Sequence, residues 1–107
     1  MSQQPLAGIT VLDLGQIYNG PYCGFLLAMA GARVIKVESP QGESLRGRSE
    51  TSSASYAFAM LNANKEAITL NLKSARGREL LRGMVPKADV LLENFSPGTM
   101  DRHGVGA

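Results

Sequence analysis

Apolar residues recur along the chain in short blocks divided by glycine, proline and polar turns. Ile9–Leu14 (ITVLDL) and Arg33–Glu38 (RVIKVE) are of strand length and rich in β-branched residues, the composition that favours extended chain. Between them Pro21–Ala30 (PYCGFLLAMA) has the length of a helix. Pro21 suits its first position, where no N–H partner is needed, and Gly31 suits the left-handed cap that ends it. Strand, loop, helix, stop and strand predict a βαβ unit with a right-handed crossover. Ala67–Leu72 (AITLNL) alternates Ile68, Leu70 and Leu72 with Thr69 and Asn71, which predicts a third strand with one wetter face. Ser74 is placed to cap a helix running through Met84. Leu80, Leu81 and Met84 form its apolar stripe, Arg76, Arg78 and Arg82 its wet side, and Pro86 follows its end. Asp89–Asn94 (DVLLEN) predicts a fourth strand.

This order of elements predicts the α/β class: a Rossmann-like open parallel sheet with helices on both faces. Ser39–Ser55 has no sustained period and reads as a long surface loop. After Asn94 come a Ser96-Pro97-Gly98 turn and a short glycine-bearing stretch. Neither covers the last strand, so an incomplete domain is expected.

Composition narrows the class further. With 107 residues, 44% of them hydrophobic, the chain suits one domain and not a disordered tail. Eleven Lys and Arg against nine Asp and Glu give a net charge of +2, which does not point to nucleic acid. The lone Cys23 excludes an internal disulfide and a cysteine-rich zinc site, and inside an apolar helix it is expected as a small buried thiol. No apolar run approaches the roughly 18 residues of a membrane helix. Met1–Pro5 lacks the features of a signal peptide. A soluble protein of a reducing compartment, the cytoplasm, is expected.

Ligands of open α/β sheets bind beyond the carboxyl ends of the strands, and three such ends carry suggestive residues. Gly15–Pro21 (GQIYNGP) leads into a helix N-terminus but lacks the glycine spacing of a dinucleotide or P-loop motif. Lys73 follows the third strand, where it could meet a phosphate or only water. Asn94-Phe95-Ser96-Pro97-Gly98, with Arg102 beyond, offers polar groups, a flat apolar ring and a guanidinium fork, or else a tight turn. His103 reads as a solvated loop residue. Glu43, Arg46, Arg48 and Glu50 read as solvated charges, although either arginine could reach a phosphate. Of Asp13, Glu38 and Glu93, in or beside strands, one is expected to be buried. Spacing alone supports a site for something anionic and does not reach a reaction.

Four segments together resemble the family III CoA-transferases, which include the α-methylacyl-CoA racemases: Pro5–Pro21, Leu26–Arg46, Leu61–Leu81 and Ala88–Gly104. The resemblance implies that residues 1–107 are the N-terminal part of a CoA-binding large domain, in a longer chain that forms interlocked homodimers. Its transferases move CoA between carboxylic acids through an aspartyl anhydride and an aspartyl-CoA thioester. The motif bearing that aspartate has no counterpart here, so no catalytic residue is carried over and the isolated chain is expected to be inactive. By motif position, Tyr18 and Asn19 would line the cofactor entrance, and Leu70, Asn71, Leu72 and Lys73 would meet the nucleotide end. Asn94, Phe95 and Ser96 would flank the pantetheine and adenine path, and Arg102 would pair with phosphate. No metal is implied.

Two departures bear on chemistry. Tyr18-Asn19 stands where formyl-CoA transferases place Gln-Ala, which argues against oxalate or formate. Ser39 stands where several members place an arginine after the strand-ending Glu38, and Arg46 is placed to compensate. An acyl-CoA racemase and a truncated, non-catalytic CoA-binding module stay open as alternatives, as do the acyl donor and acceptor.

Overall fold

The computed structural model describes residues 4–16, 19–42 and 56–102, of which 56–58, 101 and 102 are described by backbone alone. Tyr18, His103 and the charged residues Glu43, Arg46, Arg48 and Glu50 lie outside the described residues. The elements are β1 (Thr10–Asp13), α1 (Asn19–Met29), β2 (Arg33–Glu38), α2 (Tyr56–Leu61), β3 (Lys65–Thr69), α3 (Ala75–Met84), a 3-10 turn (Val85–Lys87), β4 (Val90–Leu92) and α4 (Thr99–Arg102).

All the strand pairs are parallel, in the order β3-β2-β1-β4. The expected α/β architecture is therefore present: this is the order of the first four strands in a doubly wound sheet. Register sorts the side chains into two faces. Val11 pairs with Val34 and with Val90, and on this face Ala28 of α1 and Ala32 complete one core cluster. Leu12 pairs with Ile35 and with Leu91. On that opposite face Leu12, Leu14 and Val37 pack with Leu81 of α3, which is wholly buried. Helices thus cover both faces, as a parallel sheet requires.

The stop signals act as expected. Gly31 takes φ +105°, the left-handed region open to glycine. Ser74 caps α3, its Oγ accepting from the Gly77 amide at 3.0 Å.

Several expectations are corrected. β3 runs over 65–69, not 67–72, because its ladder with β2 begins where Lys65 meets Val34. Leu70 adds one more bond, N–H to the Glu38 carbonyl, and the chain then turns away from the sheet. α2 has no counterpart in the periodicity reading. α1 begins two residues before Pro21. Cys23 is exposed, not buried. The reason is that α1 is apolar on every side, so periodicity cannot say which side faces the sheet. The buried positions are the small ones, Gly20, Pro21, Gly24 and Ala28, while Tyr22, Leu26 and Met29 face outward. Of the apolar stripe expected in α3, Leu80 is 41% exposed and only Leu81 is fully covered. Arg78 is half-buried, its Nη1 donating to the Leu72 carbonyl at 3.1 Å.

Candidate functional site

On the sheet face beneath α1, the strands carry a buried polar layer. Parallel pairing puts Lys36 beside Asp13 and Lys65 beside Val34, all on one face. Asp13, Lys36 and Glu38 are buried, so two of the three carboxylates singled out in the sequence leave water, while Glu93 stays exposed. The Lys65 side chain is 1% exposed and its Nζ donates to Asp13 Oδ2 at 2.6 Å. The same ammonium donates to the Pro21 carbonyl at 2.9 Å and to Asn62 Oδ1 at 2.8 Å. Its three protons are thereby used, the condition under which a buried charge is tolerable.

Small residues in α1 make room for this pair. A Cβ on Gly24 would stand 2.5 Å from Asp13 Oδ2 and 3.1 Å from Lys65 Nζ. One turn earlier, Gly20 meets Gly15 so closely that a Cβ on either would lie 2.6 Å from the other's Cα. The turn between β1 and α1 is therefore drawn tightly onto the strand ends. Asp13 Oδ1 accepts from the Gly15 amide at 2.8 Å, and Lys36 Nζ donates to the Gly15 carbonyl at 3.2 Å. From the far side of β1, Asn94 Oδ1 accepts from the Gln16 amide at 2.8 Å and Nδ2 donates to the Gln16 carbonyl at 2.9 Å.

Beyond this layer a cleft of about 270 Å³ opens at the strand ends. Gln16 forms part of one wall, Val37 to Gln41 a second, Leu70 to Lys73 a third, and Phe95 closes it beside Leu14. The third wall is braced from below. Asn71 Oδ1 accepts from the Lys73 amide at 3.0 Å, and the Asn71 carbonyl accepts from both the amide and the hydroxyl of Ser74. Lys73 is exposed and forms no ion pair with any described residue. It stands beside the start of α3, where the first-turn N–H groups add partial positive charge. A cation, polar side chains and an aromatic face thus meet in one place.

Of the residues singled out in the sequence, Ser39, Leu70, Asn71, Leu72, Lys73 and Phe95 line this cleft. Asn94 sits at its margin with its amide turned to Gln16. Asn19 opens α1, and Ser96 accepts from the Thr99 amide where the chain turns into α4; neither lines the cleft. Arg102 ends α4, and its side chain, like Tyr18, lies outside the described residues. Sequence reading missed Gln16, Glu38 and Gln41 as wall residues, and Lys36 and Lys65 as buried supports. A signal existed for Lys36: alternation places it on one face with Val34, so a charge in that position demands partners.

Away from the cleft, Arg33 grips Glu66 on the neighbouring strand, Nε to Oε1 at 2.7 Å and Nη2 to Oε2 at 3.3 Å. The hydrogen bond, then the charge, of Arg33 holds the Glu66 carboxyl below its usual range, and Glu66 raises Arg33 in turn.

Comparison with known proteins decides what kind of chain this is. The model of CoA-transferase family III matches residues 6–107. The chain belongs to that family. A formyl-CoA:oxalate CoA-transferase of Streptomyces coelicolor is 46% identical to it over 106 residues, 97% of this chain and 26% of the relative. A succinyl-CoA–D-citramalate CoA-transferase of Chloroflexus aurantiacus is 42% identical, over 96% of this chain and 26% of the relative. The crystal structure of a CAIB/BAIF family protein from Brucella suis superposes with a TM-score of 0.92 at 37% identity, over 99% of this chain and 30% of that one. This family III chain therefore spans about a quarter of the length of the curated relatives it matches. That solved relative continues well beyond the part this chain matches. Among the described residues no helix is long and apolar enough to cross a membrane.

Proposed function

We propose that this chain is the CoA-binding N-terminal part of an acyl-CoA:carboxylate CoA-transferase. The observation that carries the reading is the convergence of Ser39, Leu70–Lys73 and Phe95, from three separate strand ends, on one cleft. CoA brings several negative charges, a flat adenine and a thin flexible arm. Lys73 suits its phosphates, Phe95 and Leu72 its apolar parts, and Ser39 and Asn71 its polar edges. A volume near the lower end of small-molecule pockets (~300–1,000 Å³) holds one end of so long a molecule. Asn19, Ser96, Tyr18 and Arg102 are proposed to meet the remainder of it.

The chemistry proposed for the longer protein follows from its substrates. An aspartate beyond Ala107 attacks the thioester carbonyl of acyl-CoA, forming a mixed anhydride and releasing CoA thiolate. The thiolate attacks the aspartyl carbonyl of the anhydride, giving aspartyl-CoA and the first carboxylate. The second carboxylate then attacks that thioester, and the steps run in reverse to deliver its own CoA ester. The transferase names of the relatives support this reading over racemisation. It carries with it a cytoplasmic homodimer, for which the family resemblance is the support.

The test is a titration of the chain with CoA, followed through its backbone amides by NMR. Weak binding is expected, above the micromolar range, with shifts at Ser39, Asn71, Lys73 and Phe95. Lys73→Ala should weaken it about three- to tenfold at low salt, and less as salt screens the charge. Unmoved amides at millimolar CoA would remove the proposal.

A further inference from the structure

The buried pair of Asp13 and Lys65 grips both ends of the connection from β1 to α1. At its start, Asp13 Oδ1 accepts from the Gly15 amide at 2.8 Å. At its end, in the first turn of α1, the Pro21 carbonyl accepts from Lys65 Nζ at 2.9 Å. The ion pair itself, Nζ to Oδ2 at 2.6 Å, joins the two grips. The two ends of the connection also touch, since a Cβ on Gly15 would stand 2.6 Å from the Gly20 Cα. The pair is thus a clasp beneath a closed turn. Gln16, next to Gly15, forms part of the cleft wall. Neither Asp13 nor Lys65 lines the cleft, and both side chains are fully buried.

Stability alone is not a reason for charge at this point. Val11, Val34, Ala28 and Ala32 form an apolar cluster on the same sheet face, which an apolar pair of matching volume would extend. Exchanging a buried ion pair for apolar groups is often neutral or stabilising. What such groups cannot do is accept from the Gly15 N–H or donate to the Pro21 carbonyl. We infer that Asp13 and Lys65 are positioning residues: they hold the turn, and with it the Gln16 wall, where CoA needs it, without touching the ligand. This role rests on the CoA-binding reading above and deepens it, because part of the affinity is then set beneath the cleft and not in its lining.

The experiment compares the wild-type chain with two double variants, Asp13→Asn with Lys65→Met and Asp13→Val with Lys65→Met. Both bury no charge, but only the first keeps a side-chain oxygen for the Gly15 amide. Urea unfolding, Gly15 amide exchange and CoA affinity are read on the same samples. Both variants should unfold cooperatively and keep the Leu81 amide protected, which reports an intact sheet. The Val/Met chain should exchange Gly15 about tenfold faster and bind CoA about tenfold more weakly. The Asn/Met chain has lost only the Pro21 grip, so it should keep the Gly15 protection and lose about threefold in affinity. A purely structural role would leave the affinity of a folded variant untouched. Wild-type affinity in a folded Val/Met chain therefore overturns the inference, as do equal affinity losses in the two variants despite different Gly15 protection. Should the Val/Met chain fail to fold, the Asn/Met chain decides: undiminished affinity there overturns the inference. A wild-type chain that binds no CoA overturns the functional reading first, and is seen before any variant is made.

Discussion

Lys65→Met is the substitution that tests the buried layer most directly. Methionine keeps most of the apolar stem, so the change removes an ammonium and leaves little cavity. That ammonium, 1% exposed, makes three short bonds: to Asp13, to the first turn of α1 at Pro21, and to Asn62 at the turn before β3. Its loss strands a carboxylate that is 0% exposed, with the Gly15 amide as its remaining described donor. Breaking one side of a buried pair costs about 3–5 kcal/mol, most of it the desolvated charge left behind. Against a domain stability of ~5–15 kcal/mol, such a loss is severe. Asp13→Asn should cost a comparable amount by stranding Lys65 instead. The double variant buries no charge at this point, and should cost far less than the sum of the two. Urea unfolding of all four proteins, at equal m-values, gives the coupling energy. Additive costs, or a Lys65→Met loss below about 1 kcal/mol, would refute the view that this pair anchors α1.

Two further outcomes follow from the local structure. Ser74→Ala removes the acceptor for the Gly77 amide and the donor to the Asn71 carbonyl. It should cost about 1 kcal/mol in urea unfolding, and Ser74→Asp, which restores the acceptor, should recover part of it. Glu66 is held below its usual range by Arg33, so its contribution to stability is present above the unfolded carboxylate pKa. That contribution is lost as pH falls through the lowered folded value. The stability difference between wild type and Glu66→Gln should therefore shrink on acidification, and shrink also with added salt because the pair is exposed. A difference that grows toward acid pH would contradict the assigned direction.

Much of this molecule is written in near-neighbour spacing. The short β-branched blocks Ile9–Leu14 and Arg33–Glu38, the stop at Gly31 and the cap at Ser74 each depend on residues a few positions apart. They are accordingly legible in the chain before it folds. From them follow the element order, the parallel sheet and the location of the strand ends, and with these much of the cleft: Leu70–Lys73 and Phe95; Ser39 is singled out only by the family resemblance. What stayed hidden depends on partners far apart in sequence. Lys65 belongs to β3 because Val34 pairs with it, and finds Asp13 across 52 residues. Which side of α1 turns inward is decided by what lies beneath it: Gly24 goes over the ion pair, Gly20 over Gly15 and Ala28 over the apolar cluster, and Cys23 comes out. Asn94 reads in the sequence as a ligand contact or a turn former. Only when β4 lies beside β1 does its amide meet Gln16, because a hydrogen bond needs two groups within about 3 Å and spacing along the chain says nothing of that distance.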